Sequence, residues 1–419
     1  MSGEQKHLSS LDGYRGFAMW LVIGYHMFSS PGFGWMAMQT FFVLSGFLIT
    51  RMLLVEEHLP IKEGLKLFYW RRALRIFPAL YAYLLIMAVI AWISPEWSSG
   101  REMLGWSAIY LQNLAWIQSA DAGISSAGMH ATQHLWSLCV EEHFYVFWPL
   151  LFLLAGKRYR ITLIAAFIVL GPVVRWLIQD QWTGERDFAQ VIYVFSGSHI
   201  DAFAIGALTT LIFHHPSCRN PGGMRFLLLV AAAVAVGILL VQTPLVPRGF
   251  TEARMYAFGY PLFMHAAGQG VWGYTVLNLL AAQLILLAVY HPAVSKFLNN
   301  RFLVWSGKIS YPMYLMHQPV LHEFQKLRLV VEPYVGSAQV AIVLTAVVYL
   351  VVIFVIGSLS FRYFESWFMK FKPRHRTGRT SPQEVRADGK SASTDIASGD
   401  LPQTSPPTIA PAVRPSHPF

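Results

Sequence analysis

The chain has 419 residues, 55% hydrophobic and only 13% charged, with a net charge of +10. A soluble domain carries roughly a quarter charged residues, so this composition excludes a soluble enzyme. The basic residues flank apolar runs instead of forming a basic domain, so topology explains the charge and nucleic acid is excluded as a partner.

Apolar runs of ~20 residues, each long enough for a ~30 Å hydrocarbon core, predict an all-α polytopic membrane protein in a lipid bilayer. In chain order, spans are expected at about 13–30, 35–55, 76–94, 139–156, 161–178, 198–213, 225–242, 273–290, 303–322 and 338–360. Two stretches interrupted by polar residues and glycine, 103–117 and 256–272, read as re-entrant or interfacial segments. The first run lacks a small-residue cleavage site and is followed at once by another, so it reads as a span and not a leader.

Every second connection is basic: Arg51, Lys62, Lys66, Arg71, Arg72 and Arg75, then "KRYR" (157–160), Arg219 with Arg225, Lys296 with Arg301, and "MKFKPRHRTGR" after the last span. Intervening connections such as "SSPGFGW" and "SADAGISSAGMHATQ" are nearly free of Lys and Arg. The positive-inside rule then gives about ten transmembrane helices with N- and C-termini cytoplasmic. Residues 8–372 form the membrane domain. Residues 373–419, rich in Ser, Pro, Thr and charge, read as a disordered cytoplasmic tail. Cys139 and Cys218 lack CxxC spacing, so neither a disulfide framework nor a metal site is expected.

Ionisable groups at membrane depth are costly and usually face the bundle interior or a cavity. In "RGFAMWLVIGYH", Arg15 and His26 are separated by ~16 Å along a helix, with Arg15 at the cytoplasmic end. Taken alone, His26 also suits an interhelical hydrogen bond and Arg15 a snorkelling anchor. The string "HLWSLCVEEHFYVFWPLL" adds His134, Ser137, Glu141, Glu142 and His143 at an outer helix end. "SHIDAF" adds His199 and Asp201, and "ISYPMYLMHQP" adds His317. Four spans thus carry imidazole or carboxylate groups to one level, which predicts a shared cavity. On the cytoplasmic side, "YWRRALRIFPALY" sets Arg71 and Arg72 on nearly the face of Arg75, and guanidinium forks suit phosphate. Ser45 and Gly46 in "FFVLSGFLIT" lie mid-membrane, either for close packing or for a narrow passage.

These strings resemble the membrane acyltransferase 3 family of bacterial surface-glycan O-acyltransferases. "LDGYRGFAMWLVIGYH" is similar to its Arg-x10-His opening, "RRALRIFPALY" to its arginine motif through Arg72 and Arg75, and "SLSFRYFESWF" to its C-terminal end. The resemblance runs from about residue 8 to 370. His143 stands where the family usually has Gln, Cys139 where Ser is frequent, and His199 where Arg is frequent. The family's fused SGNH-type hydrolase domain has no counterpart in these residues.

The resemblance implies a multi-pass enzyme of the bacterial inner membrane, using acyl-CoA (acetyl-CoA) as co-substrate and a carbohydrate or glycolipid hydroxyl as acceptor, without a permanently bound cofactor. It implies phosphate contacts from Arg72 and Arg75, with Arg15 and Ser45 assisting. An imidazole suits deprotonation of a sugar hydroxyl, which makes His26 the expected base and Glu141 or Glu142 its orienting carboxylate. Whether His26 is the base or first carries the acyl group is open. The alternative reading is a proton-coupled transporter, because intramembrane His, Glu and Arg also build proton relays.

Overall fold

The computed structural model describes residues 8–28, 33–94, 97, 100–119, 132–181, 188–213, 215–219, 225, 227–228, 231, 260 and 269–373. Among them every regular element is helical. We label α1 Ser9–Phe28, α2 Ala37–Val55, α3 Ile61–Ile93, α4 Arg101–Ala108, α5 Gln112–Ser119, α6 Trp136–Gln181 and α7 Phe188–Val194. The remainder are α8 Ile200–Ile212, α9 Gln269–Tyr290, α10 Pro292–Leu298, α11 Arg301–Lys308, α12 Ser310–Val335 and α13 Ala338–Leu359.

Among the described residues five helical stretches are long and apolar enough to cross a membrane: Gly34–Val55, Ile61–Ile93, Gln133–Gln181, Gln269–Tyr290 and Ala338–Met369. A sixth arises if Phe188–Val194 and Ser196–Ile212, bent by 71°, count as one broken span. The chain is a multi-pass helical membrane protein. Helices α1 and α12, of 20 and 26 residues, reach span length but carry ionisable side chains.

Helix α6 doubles back at Gly156, whose φ of +57° favours glycine. Trp148 and Phe167 meet with ring centroids 5.6 Å apart, where a straight helix would separate them by ~28 Å. Residues 136–155 and 157–181 therefore run as two antiparallel arms. Helix α3 begins at Ile61, so Arg71, Arg72 and Arg75 lie inside it and not ahead of a span starting at 76. At 33 residues it is ~50 Å long, well beyond the hydrocarbon thickness.

The expected span 303–322 is corrected to two helices broken at Ile309, α11 and α12. Ahead of that break, α11 approaches α1 backbone to backbone. A Cβ on Gly307 would run into the Asp12 carbonyl oxygen, and one on Gly16 into that of Leu303. Helix α11 is thus fitted against α1, and Trp20 Nε1 donates to Ser306 Oγ at 3.0 Å. Glycines likewise let α2 and α8 touch: a Cβ on Gly46 would strike the Phe203 carbonyl, and one on Gly206 that of Val43. The 103–117 stretch forms the short helices α4 and α5, separated at Tyr110, a non-glycine residue at φ +57°. The 225–242 and 256–272 stretches lie outside the described residues, apart from isolated positions and the start of α9. The expected tail does too, except Pro373.

One ion pair ties three helices. Arg175 on the second arm of α6 and Asp201 on α8 are both fully buried. Arg175 Nη1 and Nη2 donate to the two carboxylate oxygens of Asp201 at 3.0 and 2.9 Å. Arg175 also donates to Thr275 Oγ1 at 2.6 Å and through Nε to the Val271 carbonyl of α9 at 2.8 Å. The Thr275 hydroxyl donates to Asp201 Oδ2 at 2.6 Å. Gly171 leaves the room for this carboxylate, since a Cβ there would lie 2.7 Å from Asp201. Removing one partner strands the other charge, at a cost of about 3–5 kcal/mol. Asp201→Ala should therefore lower the thermal melting point in detergent sharply, and adding Arg175→Met should recover part of the loss.

Candidate active site

Helices α1, α2, α3, α6 and α12 surround an open cleft of about 780 Å³ lined by Arg15, Arg72, Arg75, Ser45, Glu141 and Glu142. The sequence spacing explains the convergence: Arg72 and Arg75 fall one turn apart on α3. Arg72 stacks over the Tyr145 ring at 4.6 Å. Glu141 accepts from Ser45 Oγ and from Tyr145 Oη, each at 2.9 Å. The Arg72 charge acts on both glutamates, and that of Arg15 on Glu141. Arg15, Arg72 and Arg75 all line the cleft and form no ion pair within 4.0 Å among the described residues.

Arg71 does not join them. It pairs with the buried Glu56 and donates to the Pro373 carbonyl at 3.3 Å. Past the last span, Lys372 returns toward the cluster. Burial, reinforced by the charges of Arg75, Arg72 and Arg71, pushes its ammonium down to about 8.

A second cavity, of about 990 Å³, is lined by His26, His134, Gln318, His322, Trp116 and Trp136 together with other aromatic and amide side chains. Met38 and Tyr314 line both spaces and so form the wall they share. Helix α1 joins them too, placing Arg15 in one and His26, ~16 Å further along, in the other.

The imidazoles of His26, His317 and His134 run in sequence, with ring centroids 5.2 and 4.9 Å apart. Carbonyl oxygens accept only, so His134 Nε2 donates to Leu315 (3.0 Å) and His317 Nδ1 to Tyr314 (2.5 Å). His134 Nδ1 and His317 Nε2 are left as buried lone pairs without a partner among the described residues. His26 is exposed to its cavity, and Gln318 Nε2 lies 2.8 Å from its Nδ1.

Several expectations are corrected by this geometry. His26 pairs with the carboxamide of Gln318 and not with Glu141 or Glu142, because those glutamates turn into the arginine cleft. Ser137 also lines that cleft, 2.6 Å from Tyr314 Oη. His199 and Asp201 line neither cavity. Asp201 is consumed by Arg175. His199 is fully buried, with Nε2 donating to the Tyr193 carbonyl at 2.8 Å and Gln39 at its Nδ1, 3.3 Å away. His317 lies behind His26 and not on the cavity wall. His143 meets Ser196 Oγ at 2.7 Å.

Gln318, Tyr145 and Tyr314 were not singled out from the sequence, although Gln318 and Tyr314 lie in the quoted "ISYPMYLMHQP". Glu365 was missed as well. It ends a π-helical turn, Ser360–Glu365, is buried, accepts from Ser360 Oγ at 3.1 Å, and feels the charge of Arg75.

A polytopic bundle with an arginine–glutamate cleft meeting an imidazole cavity has the parts of a membrane-embedded group-transfer enzyme. The model of the acyltransferase domain family matches residues 8–363, and the chain belongs to that family. It is 27% identical over 374 residues to peptidoglycan O-acetyltransferase OatA of Listeria monocytogenes, covering 86% of this chain and 56% of that protein. It is 30% identical over 339 residues to the putative peptidoglycan O-acetyltransferase YrhL of Bacillus subtilis, covering 75% and 49%. It is 27% identical over 330 residues to O-acetyltransferase OatA of Staphylococcus aureus, covering 75% and 51%. The chain thus spans about half the length of the curated relatives it matches. No solved structure matches it.

Proposed function

We propose that the chain is an O-acyltransferase of the bacterial inner membrane, with about ten spans and cytoplasmic termini. It moves an acetyl group from acetyl-CoA at the cytoplasmic face to a carbohydrate hydroxyl on the other side. The observation that carries this reading is the pair of cavities meeting at Met38 and Tyr314, one lined by unpaired guanidiniums and one by imidazoles. The names of the relatives, peptidoglycan O-acetyltransferases, support a glycan acceptor.

Arg72, Arg75 and Arg15 hold the phosphates of the donor, with Lys372 at the rim; forked guanidinium contacts suit those oxygens. The pantetheine arm reaches past Ser45 and Glu141 toward Met38 and Tyr314. There the acceptor oxygen bonds to the thioester carbonyl carbon and the C–S bond breaks. His26 takes the hydroxyl proton, which leaves with the thiol. Gln318 governs which ring nitrogen is free. With its Nε2 toward His26 Nδ1 the proton sits on Nε2, while half a turn of the carboxamide presents Oε1 and leaves Nε2 as the base.

Purified protein with radiolabelled acetyl-CoA and a panel of envelope glycans tests this. His26→Ala should cost ~10²–10⁴-fold in turnover, the usual worth of general-base catalysis. Gln318→Ala should lower kcat at unchanged donor KM, and Arg72→Ala should chiefly raise donor KM. Solute movement across vesicles by protein that transfers no label would establish the transporter instead.

The donor site has a pH dependence of defined sign. The Lys372 ammonium loses its proton as pH rises through about 8, removing one positive charge from the mouth. Acetyl-CoA affinity should fall between pH 7 and 9, measured by calorimetry, and Lys372→Met should flatten that fall.

A further inference from the structure

The second cavity has a composition that says which saccharides it accepts. Its described lining carries aromatic side chains (Tyr25, Trp116, Trp136, Tyr193), carboxamides (Gln133, Gln318, Gln325) and imidazoles, with no Asp, Glu, Lys or Arg among the described residues. The adjoining cleft has the opposite character, with three arginines and two glutamates. Both spaces are cut into one helical bundle, so the segregation of fixed charge to one side of Met38 and Tyr314 is a property of the site. We infer that the His26 cavity is a subsite for uncharged pyranose units, held by aromatic faces and carboxamides, and that it discriminates against anionic sugars. This inference rests on the glycan-transfer reading above.

The physical chemistry is direct. A pyranose ring presents apolar C–H faces to an indole or phenol ring, while its equatorial hydroxyls need donors and acceptors at the rim. Carboxamides supply both without charge. A sugar carboxylate entering the same space loses its water shell and meets no fixed cation among the described residues, which makes its burial costly. Gln325 is exposed at the rim, so changing it perturbs the site without disturbing packing.

The test uses the full chain in detergent without donor, with chitotriose and trigalacturonate as probes and tryptophan fluorescence as readout. Chitotriose should bind at least tenfold more tightly than trigalacturonate. Gln325→Leu should weaken chitotriose several-fold, and Gln325→Lys should narrow or reverse the preference, both at unchanged melting point. Equal binding of the two probes, or chitotriose binding that neither Gln325 variant alters, overturns the subsite. The enzyme reading fails separately: chitotriose that binds selectively but never receives label from acetyl-CoA leaves the subsite standing and removes acyl transfer. Label transferred equally to neutral and anionic glycans removes the subsite and leaves the enzyme.

Discussion

Charge inside an apolar helical bundle has to be compensated, and the way this chain compensates its guanidiniums organises the molecule. Arg175 is satisfied completely by Asp201, Thr275 and backbone carbonyls, and it locks the second arm of α6 to α8 and α9. Arg71 is satisfied by Glu56. Arg15, Arg72 and Arg75 are left facing a cleft together with Glu141 and Glu142. Paired arginines build the scaffold, and the three without an ion pair among the described residues line the cleft where the proposed function places the donor phosphates.

The same division explains the place of the histidines. His199 is locked between Gln39 and the Tyr193 carbonyl against Phe42, Trp136 and Tyr274, a packed polar group of the core. His134 and His317 donate to carbonyls on α12 and hold their rings in fixed tautomers around His26. His26 opens into the cavity, with a side chain that can exchange proton positions at its single amide contact. Tightly packed neighbours therefore orient the His26 imidazole. The glycine contacts of α1 with α11, and of α2 with α8, let these helices pack backbone to backbone.

Most of this was legible in the sequence where periodicity and charge placement decide. The helical, membrane-spanning character, the Arg15–His26 spacing and the grouping of Arg72 with Arg75 follow from composition and from 3.6 residues per turn. Partner choice was not legible. Adjacent glutamates at 141 and 142 are compatible with His26 or with arginines, and only the packing of α3 and α6 decides for the arginines. Asp201 looks like a cavity carboxylate until Arg175, 26 residues earlier and an unremarkable basic residue in a span, is found beside it where the second arm of α6 packs against α8. Gln318 carries no sequence signal of its own beyond standing next to His317.

The central claim is that two chemically distinct cavities, stacked along α1 and joined at Met38 and Tyr314, carry an acyl group from one membrane face to the other. Vesicles with the protein in a single known orientation test it most directly, with labelled acetyl-CoA and a neutral glycan supplied on chosen faces. Label should reach the glycan only when donor is on the arginine side and glycan on the histidine side. Transfer that requires both on the same face, or proceeds equally from either, would contradict the account.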